Sequence, residues 1–114
     1  MSTLFLLRTD LAKALRDRDR VEISTLRTLI AAVENATAVD VEPTAELKVG
    51  LGHDQPRRVL SDADMTRIIR SERDELVDAA TRYRELGLME EMEDLQRKAR
   101  IAERYLPGDV ASTR

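Results

Sequence analysis

The sequence predicts an all-α protein, a single domain folded as an antiparallel helical bundle of about four helices. Three observations lead there. Aliphatic residues recur at three- and four-residue steps in four separate segments. Each segment is bounded by capping residues or by Gly and Pro. Aromatic residues make up only 3% of the 114 residues, namely Phe5, Tyr83 and Tyr105. The core must therefore come from Leu, Ile, Val, Met and Ala, which interlock well between helices. The length suits one domain and no more. The helical domain is expected over residues 1–108, with 109–114 as a frayed tail.

The first helix is expected from about Thr3 to Asp17. Leu4, Leu7, Leu11 and Leu15 form its apolar stripe, and Ser2 or Thr3 caps its start. The alternating charges of Arg16-Asp17-Arg18-Asp19-Arg20 read as a tight connection between antiparallel helices. Asp19 with Glu22 three residues on has the form of a capping box. The second helix is expected from about Arg20 to Ala38. It carries Ile23, Leu26, Leu29, Ile30 and Val33, and its low-bulk Ala31, Ala32 and Ala36 suit a central position.

Residues 39–60 break the pattern. Pro43, Gly50, Gly52 and Pro56 interrupt them, and only Leu47, Val49 and Leu51 alternate as a short extended segment would. A loop this long between helices two and three is unusual inside a compact domain, and points to function, a bound partner or mobility. Ser61 and Asp64 then open the third helix as a short-armed capping box. Its stripe of Met65, Ile68, Ile69, Leu76, Ala79, Ala80, Tyr83 and Leu86 ends at Gly87, a natural C-cap residue. The fourth helix is expected from about Met89 to Tyr105. Met92, Leu95, Ala99 and Ala102 face inward, Ile101 flanks them, and Leu106-Pro107-Gly108 ends it.

Composition narrows the function classes. The 19 basic and 22 acidic residues give a net charge of −3, whereas a dedicated nucleic-acid binder is usually basic. There is no cysteine, which removes disulfides, thiolate metal sites and a Cys nucleophile. Leu4 to Leu7 is too short for a signal-peptide core, and no stretch approaches a membrane span. A cytoplasmic location with no membrane partner is expected.

Few residues suggest chemistry. His53 is the only histidine and lacks neighbouring ligands or a nucleophile, so an exposed, non-functional histidine is expected. Glu90, Glu91, Glu93 and Asp94 open the fourth helix, where the helix dipole favours acids. Glu72 is the more informative carboxylate, because it interrupts the apolar stripe between Ile69 and Leu76. A carboxylate there needs a partner. One reading is an internal ion pair with Arg27 that fixes helix register. The other is a cleft residue that meets a ligand or partner protein. Arg57, Arg58, Arg67 and Arg70 form a candidate anion or RNA patch, diluted by Asp62, Asp64 and Asp74. No phosphate-binding loop, dinucleotide fingerprint or zinc spacing occurs. The residues nominate no catalytic group, cofactor or metal.

An ordered set of short motifs carries a family resemblance. Arg16-Asp17-Arg18-Asp19 leads into Ser24-Thr25-Leu26-Arg27 and on to Ala31-Ala32-Val33-Glu34-Asn35-Ala36. Leu60-Ser61-Asp62-Ala63-Asp64 opens a long helix, Tyr83-Arg84-Glu85-Leu86-Gly87 closes it, and Tyr105-Leu106-Pro107 follows. Spanning about residues 5–107, this set resembles the YqeY-like (GatB/YqeY domain) family. The resemblance implies an all-α fold related to the helical and tail regions of GatB, a component of the glutamine-dependent aspartyl/glutamyl-tRNA amidotransferase. In that enzyme these regions help to hold tRNA, and catalysis lies elsewhere. A label of carbon–nitrogen ligase with glutamine as amide donor would be inherited from the enzyme. The chain departs from the family in a longer mid-chain loop and in an expected short form without the C-terminal tail subdomain. Glu34 stands where lysine is common, and Leu88 where arginine often follows the glycine. Three functions are thus expected in turn: a non-catalytic helical domain that binds a protein partner or itself, a tRNA-associated accessory protein, and an amidotransferase-type enzyme.

Overall fold

The computed structural model describes residues 2–37 and 59–107. Among them are four helices and no strand: α1 (Thr3–Asp17), α2 (Arg20–Thr37), α3 (Asp62–Glu85) and α4 (Met89–Glu103). The all-α helical bundle is therefore the architecture of the described residues. The expected extended segment at 47–51, most of the 39–60 loop and the tail from residue 109 lie outside them.

Each helix end has a local cause. Ser2 caps α1, its hydroxyl oxygen accepting the Phe5 N–H at 3.1 Å. Ser61 and Asp64 form a complete reciprocal capping box on α3, at 3.0 and 3.1 Å. At the start of α2 only half of the expected box exists. Asp19 accepts the Glu22 N–H at 3.1 Å, but the Glu22 carboxylate turns away to Arg104. The Asp19 N–H instead donates to the Ala14 carbonyl. The fourth helix closes at Glu103, earlier than expected, as Arg104 and Tyr105 enter a turn.

Two of the helix ends share one geometry. After α3, the Leu88 N–H donates to the Tyr83 carbonyl at 2.9 Å and the Gly87 N–H to the Arg84 carbonyl at 3.0 Å. Gly87 sits at φ +79° between them, a Schellman turn on the residue best suited to it. After α1 the Asp19 and Arg18 N–H groups make the same pair of bonds to Ala14 and Leu15. Here the left-handed residue is Arg18, at φ 59°.

These turns of two or three residues make two helical hairpins, α1–α2 and α3–α4. Cross-helix pairs confirm the antiparallel register: Arg8 with Glu34 in the first hairpin, and Arg73 with Glu103 in the second. α2 packs on α1, α3 and α4, the central position its composition predicts. Leu7, Leu26, Leu29, Val33 and Ile69 are fully buried, joined by Met65, Ile101, Ala102 and Leu106. Full burial of each large aliphatic side chain contributes about 1.5–3 kcal/mol. Thr25 is the one buried polar residue among those described. Its hydroxyl donates to the Val21 carbonyl at 2.8 Å and so is satisfied within α2. Two stripe residues depart from expectation. Leu15 and Leu86, the last residues of their stripes, are exposed.

Candidate functional site

Residues around the α1–α2 turn are joined to α4 and to the turn that follows it. Asp19, in the turn, accepts from the Arg97 guanidinium of α4 at 2.6 Å. Glu22, in the first turn of α2, accepts from Arg104 at 2.7 Å. The Tyr105 hydroxyl donates to Asp10 of α1, and the Arg104 guanidinium lies over the Tyr105 ring, 5.7 Å from its centroid. The Arg97 hydrogen bond and the Glu22 N–H hold the Asp19 carboxyl below the usual carboxylate range. Burial first, then the Asp10 hydrogen bond, push the Tyr105 phenol well above its ordinary value. Donors and acceptors here match one another, so the cluster fastens α4 to the first hairpin.

A second cluster surrounds Glu72. Where α2, α3 and α4 converge there is a small cleft of about 70 Å³, lined by Ser24, Thr28, Leu29, Glu72, Leu76 and Lys98 among others. The expected Arg27–Glu72 ion pair is not formed, since no hydrogen bond or ion pair among the described residues joins the two. The reason is helical phase. Thr25, Leu26, Leu29 and Val33 face inward on α2, and Arg27 lies about 100° round the helix from Leu26, on the exposed side. Glu72 is opposite the Ser24–Thr28 edge instead. Partial burial and then the like charge of Glu75 raise its pKa. Glu72 thus lines a small cleft.

From Glu72 an open groove of about 400 Å³ continues along α3, walled by Glu72, Glu75, Leu76, Asp78, Ala79 and Arg82. No residue of α1 or α2 lines this part. Beyond the groove, the tip of the α3–α4 hairpin leaves Leu86 69% and Met89 50% exposed, with Leu88 exposed beside them.

The candidate anion patch is brought together only in part. Arg67 and Arg70 are one turn apart on α3, and Arg67 is exposed and pairs with Asp64. Arg57, Arg58 and His53 lie outside the described residues. Among those described, no group of three His, Cys, Asp or Glu side chains is placed to hold a metal ion. No helix among them is long and apolar enough to cross a membrane. Sequence reasoning did not find the Asp19–Arg97, Glu22–Arg104 and Asp10–Tyr105 pairs. Their partners are 78, 82 and 95 residues apart, and no local pattern signals such contacts.

The comparisons with known proteins add no relative: no family model, no curated protein and no solved structure matches the chain.

Proposed function

We propose that the chain is a non-catalytic helical binding module of the YqeY-like type, acting in the cytoplasm through contact with another protein or a second copy of itself. The observation that carries this reading is the distal half of the α3–α4 hairpin. There Leu86, Leu88 and Met89 stand in solvent next to a groove that the first hairpin leaves uncovered. Apolar side chains grouped at one end of a small domain are the ordinary signature of a contact surface. The order of the YqeY-like motifs supports an accessory role related to the tRNA-holding region of the amidotransferase.

Substituting Leu86 and Met89 together by Asp tests this reading. Both are exposed, so the helical circular-dichroism spectrum should be retained. Intermolecular crosslinking of the full chain should fall. Unchanged crosslinking would count against the surface. Glutamine turnover by the purified chain would overturn the non-catalytic reading and restore that of a carbon–nitrogen ligase.

The exposed Arg67 on the first turns of α3 favours a second reading, a tRNA-associated accessory protein using Arg57, Arg58, Arg67 and Arg70. Filter binding to total tRNA at two salt concentrations distinguishes it. A phosphate-based interaction weakens steeply as salt rises, and absence of binding at low salt excludes it.

A further inference from the structure

The α3 groove contains both halves of its own complement. Leu76 and Ala79 are partly buried along it, and Glu75, Asp78 and Arg82 are exposed at its edge. Glu75 and Arg82 are seven residues apart, close to two helical turns, so they project from nearly the same side of α3. Past Glu72 the described residues that wall the groove all belong to α3.

We propose that this groove seats a second copy of the chain, with α3 lying antiparallel on α3 of its partner about a two-fold axis near Asp78 and Ala79. This names the partner for the binding-module reading and rests on it. The two-fold makes the contact isologous, so each interaction occurs twice. Glu75 faces Arg82 of the partner subunit, and Arg82 faces the partner's Glu75. The small Ala79 at the crossing lets the helices approach closely. Leu76 packs toward the partner's Ala79. A purely basic foreign helix matches Glu72, Glu75 and Asp78 but meets repulsion at Arg82. A second copy satisfies both signs. Asp78 is the exception, because it lies beside its own twin at the axis.

Charge reversal in the full chain tests the arrangement. Sedimentation equilibrium from micromolar to millimolar concentration should show a dimer. E75R and R82E, each turning two attractions into two repulsions, should each weaken it by roughly tenfold or more. The E75R/R82E double variant should dimerise again, and so should an equimolar mixture of the two single variants, because both restore opposite signs across the contact. Asp78→Asn should tighten the dimer. Circular dichroism checks that each variant remains helical, and Glu75→Gln replaces any variant that does not. A wild-type chain that stays monomeric throughout overturns the proposal, as do single variants that dimerise like wild type. Binding of a Lys-rich helical peptide to a monomeric chain, lost in E75R, overturns the second copy as occupant while leaving the binding-module reading intact. That reading fails separately, on glutamine turnover.

Discussion

Asp19 caps α2 and holds α4 with the same carboxylate. One oxygen accepts the Glu22 N–H at 3.1 Å, and the other accepts from Arg97 at 2.6 Å. A two-residue turn thereby sets both the start of one helix and the position of another. Asp19→Ala should cost about 1–2 kcal/mol, combining a lost cap with a partly exposed ion pair. A double-mutant cycle with Arg97→Ala, read by urea denaturation, isolates the pair from the cap. The pH dependence has a definite sign. Arg97 and the backbone lower the Asp19 pKa in the fold, so this stability is present above the ordinary value of 3.8. It is lost as pH falls through the folded value. The difference between wild type and Asp19→Ala should therefore shrink on acidification below 3.8.

Tyr105→Phe should destabilise the domain by about 1 kcal/mol, since it removes the hydroxyl that donates to Asp10. Its signature is at alkaline pH. The folded phenol ionises later than the unfolded one, whose ordinary value is 10.0. Wild type should therefore lose stability as pH rises above that value, and the gap between it and the phenylalanine variant should narrow. Thermal unfolding from about pH 8 to about pH 11 checks both.

Glu72 predicts the opposite behaviour for a carboxylate. Burial and Glu75 raise its pKa above the ordinary 4.5, so its ionisation opposes folding. Glu72→Gln should be more stable than wild type near neutral pH, and the advantage should vanish below pH 4.5. A destabilised glutamine variant at neutral pH would show that an ionised Glu72 is needed in the cleft.

The two Schellman turns predict substitutions of opposite effect. Gly87→Ala places a β-carbon in open space but forces a side-chain residue to φ +79°, costing about 1 kcal/mol. Arg18→Gly relieves the same conformation at φ 59° and should stabilise the domain, by less than about 1 kcal/mol. Denaturant midpoints of the two variants relative to wild type should move in opposite directions.

In the core, Leu26→Ala should cost about 2–5 kcal/mol. Leu26 is fully buried on the central helix, and truncation leaves a cavity in the core. This is a large share of the total stability of a small domain. A loss below about 1 kcal/mol in chemical denaturation would show that α2 is not central.

The four helices were legible from sequence because their causes are local. Apolar residues at helical spacing, the Ser61–Asp64 box and Gly87 each act within a few residues of the structure they specify. The fully buried Leu7, Leu26, Leu29, Val33 and Ile69 all belong to stripes visible in the sequence. What only the tertiary structure decided was which helix meets which, and at what rotation. Arg27 flanks buried residues in the sequence, yet its phase on α2 turns it to solvent, away from Glu72. Leu86 continues an apolar stripe but is exposed. Asp19, Glu22 and Asp10 carry no mark of Arg97, Arg104 and Tyr105, because pairing across so many residues depends on the crossing of helices. Periodicity records that a helix has an inner face. Only packing determines where that face runs out, and on this chain it runs out along the distal half of α3, where the open groove begins.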